Sequence, residues 1–394
     1  MRIGYSFLHF PPEYIGGVYT FVHGVLNGLL NVKHSHTIQV YVLEYNVKAL
    51  EDYKKFHNLE IIGLPDSSIL LKLIRRASLL FQQEAIFCYV NTLPKNVREM
   101  INRKSDILYI PTSFLYPTRL NIPTIVSIHD IQHFHYPQFF NLSTRLMRQT
   151  NSLTTFKVSG FIQASSQYIK DDILRYYSNV ISSKQIFVVH EGVNIKEFQK
   201  GKGNINTLKK YNIPDQFLLY PAQLWHHKNH INLLKAIESI RDESGVIIPL
   251  VLTGFKAANG ELVLHYIRQH KLDKQIYYLG SVPFNELLDL YKFSTYVISS
   301  SLHESSSLPL LEGAASGKPL IASNIPPNVE MSQNIKMTLF DPENTKDIAE
   351  KLLDCWLNKE RGFNDAADNL KIIDQYSWYN VAKEYIRFFE STWK

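Results

Sequence analysis

The sequence predicts an α/β protein made of two Rossmann-like, doubly wound parallel-sheet domains that face each other across a cleft. Short apolar runs alternate with amphipathic helical stretches almost throughout, the pattern of parallel sheets with right-handed crossovers. With 394 residues the chain has room for two domains of about 150–200 residues each. Near the middle, KGKGN at 200–204 breaks the periodicity and reads as part of a linker.

Taken in order, the strand candidates of the first half are Arg2–Phe7, Thr37–Leu43, Ile107–Ile110, Thr124–Ile128, Phe161–Ala164 and Ile186–Val189. Those of the second half are Phe217–Tyr220, Pro249–Thr253, Ile276–Leu279, Tyr296–Ser299 and Leu320–Ala322. Between them lie helical patterns. Leu233, Leu234, Ile237 and Ile240 share one face, with Asn229 placed to cap that helix. A closing helix, Tyr379–Phe389, follows Trp378. The domains then divide as 1–197, a linker at 198–214, a second domain at 215–375, and a C-terminal helix at 376–394 packing back on the first domain. No internal repeat or low-complexity tract interrupts this order.

Composition excludes several classes. At 45% hydrophobic and 20% charged, with 17 Gly and 17 Pro, the chain is neither disordered nor collagen-like. Lys plus Arg is 42 against 36 Asp plus Glu, a net charge of +6. Over this length that permits an anionic substrate or membrane surface without announcing nucleic acid, and no compact basic recognition helix appears. Cys88 and Cys355 lie far apart, outside metal or redox spacings, which suits a reducing compartment. The opening MRIGYSF lacks the order of a signal peptide, and no apolar run approaches the ~18 residues of a membrane span. The expected location is the cytoplasm, soluble or peripheral on the inner face of the membrane.

Parallel sheets bind ligands beyond the carboxyl ends of their strands. There, after TYVISSS, stands His303–Ser323, HESSSLPLLEGAASGKPLIAS. Pro309 suits a first helical turn, where its missing N–H would have no partner. Ser306 or Ser307 would cap the helix, Leu310, Leu311, Ala314 and Ala315 form its apolar face, and Gly317 ends it. Such a helix start offers free amides and a positive dipole end to an anion. A phosphate at the Ser307–Leu308 amides would leave Glu304 and Glu312 for hydroxyl groups, since carboxylates repel phosphate and accept from sugar O–H. Alone, the two glutamates would read as a loop residue and a solvated helix residue; the strand–serine–proline–helix–glycine context argues otherwise.

This stretch resembles the E-x(7)-E region of the retaining glycosyltransferases of the GT-B fold, the large family-4 group, whose common form is E-G-F-G-L-P-x-L-E-A-M-A-x-G-x-P-V-I-A-S. The matching residues are Glu304, Leu308, Pro309, Leu311, Glu312, Ala315, Gly317, Pro319, Ile321, Ala322 and Ser323. Ser306 and Ser307 replace the family's Phe-Gly pair, a change where the donor sugar packs. Three further segments follow in the family's order. Gly16-Gly17 opens GVYTFVHGVLNGLL; by itself it reads as a plain turn, and it is no G-x-G-x-x-G fingerprint. TIVSIHDIQHFHYP puts His129 and Asp130 at a strand end. YPAQLWHHKNHINLL carries Lys228 just before a helix, with Gln223 or a neighbour where the family usually has an Arg. HEGVNIKEF, LTGF and YLGSVPFNEL add weaker matches, the last two near Phe255 and Val282.

The resemblance implies an acceptor-binding N-terminal domain and a nucleotide-sugar-binding C-terminal one. It implies that His129, Lys228 and Glu304 are catalytic. Donor binding falls to Gly16, Gly17, Gln223, Gly254, Phe255, Val282, Ser306, Ser307, Leu308 and Glu312. The donor would be a nucleotide-diphosphate sugar, with GDP-mannose suggested by the W-x-x-K-N form, and the acceptor a glycan or lipid-linked hydroxyl in surface polysaccharide synthesis. Rhamnose, glucose, galactose and N-acetylglucosamine stay open. No metal or other cofactor is expected: His133 and His135 alternate on one loop with no D-x-D beside them. ILLKLIRRASLLF at 69–81 sets Lys72, Arg75 and Arg76 along one face, either resting on anionic lipid or forming the solvated side of an ordinary helix. A GT-B-like sugar-nucleotide epimerase and a non-catalytic two-domain binding protein are the competing readings.

Overall fold

The computed structural model describes residues 1–8, 16–66, 88–89 and 91–393. The basic stretch at 69–81 lies outside them. Two sheets, each wholly parallel, organise the chain. The first holds β1 (Arg2–Ser6), β2 (Thr37–Leu43), β3 (Leu59–Leu64), β4 (Ile107–Ile110), β5 (Thr124–Ile128), β6 (Phe161–Ala164) and β7 (Ile186–Val188), in spatial order β3-β2-β1-β4-β5-β6-β7. The second holds β8 (Leu218–Pro221), β9 (Leu250–Thr253), β10 (Ile276–Tyr278), β11 (Tyr296–Ser299), β12 (Leu320–Ser323) and β13 (Thr338–Phe340), in order β10-β9-β8-β11-β12-β13. Each order reverses once, between β1 and β4 and between β8 and β11. Such reversal points splay the flanking loops and open a ligand crevice at the strand ends.

Sequence explains the central strands directly. TIVSI of β5 and LVLT of β9 are buried along their whole length because helices cover both faces, so an unbroken apolar run is required. β3 and β13 escaped the sequence reading. Both are edge strands; LEIIGL carries Glu60 and Gly63 and is mostly half-exposed, and TLF is three residues long. Edges need less apolar surface, so their sequence signal is weaker.

The chain folds as two compact units, Met1–Glu191 with Trp378–Lys394, and Gly192–Ser377. The linker expected at 198–214 is a folded part of the second unit, and the boundary falls at 191/192 instead of 197/198. Phe198, Leu208 and Ile213 are buried in that unit's core. Asp289 accepts from the Asn204 amide at 2.8 Å and the Thr207 hydroxyl at 2.6 Å. The glycine-rich run is a loop between the short helices Ile195–Gln199 and Asn206–Lys210, with Gly201 and Gly203 at positive φ.

The closing helix is longer than read, Trp378–Trp393, and lies against the Gly17–Asn31 helix within the first unit. Glycine sets that contact. A Cβ on Gly24 would sit 2.1 Å from the Trp378 indole, and one on Gly28 2.3 Å from the Trp378 carbonyl oxygen. Tyr376 and Ser377, assigned to the C-terminal helix from sequence, stay with the second unit, where the Val193 amide donates to the Tyr376 carbonyl at 2.8 Å.

Candidate active site

The reversal point of the second sheet gathers most of the sequence's candidates. β8 ends at Pro221 and its loop runs to Asn229; β11 ends at Ser299 and its loop runs to Ser307. Hydrogen bonds tie the two loops together. The Lys228 carbonyl accepts from the Tyr220 hydroxyl at 2.8 Å and from Ser300 at 3.0 Å, and the Leu302 amide donates to the His227 carbonyl at 2.7 Å. Asn229 turns the chain with φ 57°, in the left-handed region. Its side chain does not cap the following helix as expected; Nδ2 donates to the Pro342 carbonyl at 2.7 Å instead, anchoring the turn.

So held, Lys228 Nζ donates to Glu304 Oε1 at 2.5 Å, and the Ser301 hydroxyl donates to the same oxygen at 2.6 Å. The side chains are 17% and 11% exposed, so the pair is largely withdrawn from solvent and its attraction is less screened than at the surface. Burial raises the Glu304 carboxyl, but the charges of Lys228 and His227 and the bonds from Lys228 and Ser301 outweigh it, and its pKa lies below the usual value. Glu304 is thus a fixed carboxylate with lone pairs to spare.

The following helix, Leu308–Ala315, starts with Pro309 in its first turn and gives way to Gly317 at φ 68°. Ser307 stands at the cap position, but its hydroxyl does not cap. It donates to Asn328 Oδ1 at 2.7 Å, while Asn328 Nδ2 donates to the Ser323 carbonyl at 2.9 Å. The missing cap leaves the first-turn amides without a side-chain acceptor, which keeps the anion-binding character of the terminus. Glu312 lies about one turn along. Burial pushes its carboxyl up to about 7, against a bond from the Tyr291 hydroxyl at 2.5 Å that pulls it down.

Beside these, Gly254 follows β9 at φ 115°, with the Gln223 amide nitrogen 2.8 Å from where a Cβ would be. Only glycine allows the β8 and β9 loops to approach so closely. The Phe255 carbonyl accepts from the Leu224 amide, and the Phe255 ring meets Trp225 edge-on at 5.9 Å. Gln223 Oε1 accepts from Trp225 Nε1 at 2.8 Å. Val282 packs against the core of the unit at its edge, after β10.

In the first unit, His129 follows β5. Its Nε2 lies 3.0 Å from the Pro111 carbonyl, which can only accept, so Nε2 carries the proton and Nδ1 is left to accept. Burial lowers its pKa and keeps the ring neutral, and the ring stands edge-on to Phe21 at 4.8 Å. Gly16 precedes the Gly17–Asn31 helix with φ 146°, a conformation open to glycine. His133 and His135 point elsewhere: His133 Nδ1 accepts from Arg148 at 3.3 Å, and His135 Nε2 bonds Asp172 at 2.6 Å.

Residues 205–370 match the family model described as glycosyl transferases group 1. The O-antigen chain mannosyltransferase B of Escherichia coli is 22% identical over 357 residues, covering 87% of this chain and 91% of its own. The O-antigen chain mannosyltransferase RfbU of Salmonella typhimurium is 26% identical over 201 residues, 51% of this chain and 52% of its own. Among solved structures, HepE of Anabaena, in complex with UDP and glucose, superposes with a TM-score of 0.72 at 14% identity, covering 99% of this chain and all of that one. The fold is that of the GT-B glycosyltransferases, and residues 205–370 carry a segment of the group 1 glycosyl transferase kind.

Several residues of this glycosyltransferase's candidate site were not singled out from sequence. Ser301 and Ser300 lie in the quoted TYVISSS run, and hydroxyls clustered at a strand end were a usable signal. Tyr220 reads only as the end of a strand candidate, and Asn328 falls in none of the motifs. Tyr291 sits on a different helix, Phe284–Phe293, 21 residues from the glutamate it serves, and nothing in the local pattern links the two.

Proposed function

We propose that this glycosyltransferase moves mannose from GDP-mannose to a hydroxyl of a glycan or lipid-linked acceptor, with retention of anomeric configuration, in the building of a surface polysaccharide. The observation that carries the reading is the Lys228–Glu304 pair fixed at the β8/β11 reversal point, at the start of the Leu308–Ala315 helix. Breaking the bond from the anomeric carbon to the diphosphate builds negative charge on the leaving oxygens and positive charge on the sugar ring. Lys228 and the Ser307–Leu308 amides are assigned to the first, and electrostatic help of this kind is usually the largest catalytic term. Because an ammonium and a helix terminus meet that charge, no metal is assigned to the step.

Glu304, ionised and already oriented, is assigned to the hydroxyls of the transferred sugar, and His129 to the same sugar through Nδ1. Glu312 is assigned to the ribose. Gly254, Phe255 and Val282 are assigned to the nucleoside, Gly16 and Gly17 to the diphosphate, and Gln223 and Ser306 to donor binding. Retention is read as departure and attack on one face: the acceptor oxygen bonds the anomeric carbon as the diphosphate leaves, and the acceptor proton passes to a departing phosphate oxygen. Mannose and O-antigen are supported by the names of two relatives, and a nucleotide sugar by the UDP and glucose bound to HepE.

The test begins with thermal shift against GDP-, UDP- and dTDP-sugars, since a ligand of the folded state raises its apparent stability. GDP-mannose is expected to give the largest shift. Transfer is then followed by nucleotide release with and without a mannosylated acceptor, and the product linkage is read by NMR. Release without acceptor together with sugar isomerisation would establish the epimerase. A shift with UDP-glucose alone would reassign the donor, and an inverted linkage would overturn the same-face step.

A further inference from the structure

Tyr291 is a buried residue with a hydroxyl the core does not need. It lies on the Phe284–Phe293 helix, 0% exposed, packed edge-on against Phe198 at 5.3 Å within the second unit's apolar cluster. Phenylalanine would fill that space equally well. The phenol donates one hydrogen bond, 2.5 Å to Glu312 Oε2. A buried hydroxyl is costly unless paired, so its presence is explained by the glutamate.

We infer that Tyr291 is a positioning residue for the donor: its hydroxyl holds one oxygen of Glu312 so that the other is turned out to accept from the ribose hydroxyls of the nucleoside diphosphate. This rests on the assignment of Glu312 to the ribose. Two further features fit. Glu312 is only partly buried, so one oxygen can be engaged by the core while the other meets solvent or ligand. The site also works against itself, because burial favours the protonated carboxyl, which is a poorer acceptor; the Tyr291 bond acts in the opposite direction. The phenol therefore sets the direction of the acceptor and favours its charged form.

The experiment compares binding of GDP with that of 2′-deoxy-GDP and 3′-deoxy-GDP by calorimetry, or the UDP series if UDP binds the wild type more tightly. A hydroxyl bonded to a carboxylate should make the deoxy forms bind about tenfold or more weakly. In Tyr291→Phe the ratio of ribo to deoxy affinity should fall below about threefold, while kcat at saturating donor is kept and KM rises. A packing role alone would weaken all three ligands equally and leave the ratio intact, which overturns the inference. Glu312→Gln separates the two levels. If it collapses the ratio and Tyr291→Phe does not, the ribose assignment stands and Tyr291 has no part in it. If neither changes the ratio, Glu312 is not at the ribose. Circular dichroism checks that both variants are folded.

Discussion

At the scale of single residues, the site is a problem of charge. Lys228 would offset a diphosphate, yet before substrate arrives its partner is Glu304, which also accepts from Ser301. The pair stores an ammonium in a partly buried place without leaving it unpaired, which would be costly. Lys228→Ala is therefore expected to lower kcat by roughly 10²–10³-fold, the cost of losing one preorganised group at a developing anion. Steady-state transfer checks this, and a loss under tenfold would remove Lys228 from the chemistry. Glu312 gives a prediction of opposite character. Its folded value of about 7 exceeds the ordinary 4.5, so the folded form holds a proton that the unfolded chain has released. That contribution to stability is fully present below pH 4.5 and is lost as pH rises through about 7. Glu312→Gln, which cannot ionise, should match the wild type in Tm near pH 4.5 and melt higher above pH 7, the gap opening between the two. Thermal melts across that range test it, and a gap that closes with rising pH would contradict it.

At the scale of elements, close approach of backbones decides what sequence can be tolerated. The Gly17–Asn31 helix meets the Trp378–Trp393 helix at Gly24 and Gly28. At Gly24 the obstruction is a side-chain ring; at Gly28 it is the Trp378 carbonyl oxygen, 2.3 Å from a Cβ, with the Ala382 methyl at 2.9 Å. A backbone oxygen at a helix start cannot swing aside, so Gly28→Ala must push the helices apart. Despite alanine's better helix propensity, the variant should lose about 1–3 kcal/mol. Gly245→Ala is the contrast: nothing lies within 4 Å, and only its φ of 70° is strained, for about 1 kcal/mol. Urea unfolding of the two variants reads the difference. Helix pairing of this kind was only partly legible in sequence. A helix was legible in each segment, but nothing in the local pattern singled out Gly24 or Gly28 as the point of contact. The interior strands were legible because two-sided burial demands an apolar run, whereas β3 and β13, at the edges, did not announce themselves. Likewise Asn229 and Ser307 were right in place and wrong in role: position follows from local pattern, but which partner a polar side chain takes depends on Pro342 and Asn328, more than 20 residues away in sequence.

At the scale of the whole molecule, the chain returns at its end to complete the unit it began. The sequence disclosed two parallel-sheet domains and a final helix, but put the boundary six residues late and mistook two short helices for a linker, because five glycine-, lysine- and asparagine-rich residues masked the buried Phe198 and Leu208 beside them. The return has a consequence for stability. The last helix buries Trp378, Val381, Ala382, Tyr385, Ile386, Phe388 and Phe389 in the first unit, and Tyr109 donates to the Tyr385 hydroxyl at 3.3 Å. At about 1.5–3 kcal/mol per large apolar side chain, these residues contribute roughly 10 kcal/mol, comparable with the whole net stability of an ordinary domain. Deleting Trp378–Lys394 should therefore unfold Met1–Glu191, while Gly192–Ser377, with its own sheet and core, remains. Calorimetry should lose one melting transition and keep another. Because Lys228, Glu304, Glu312 and Tyr291 all lie in the surviving unit, the nucleoside diphosphate should still raise that transition, although transfer, assigned in part to His129, is abolished. Loss of both transitions would mean that the second unit depends on the first for its fold.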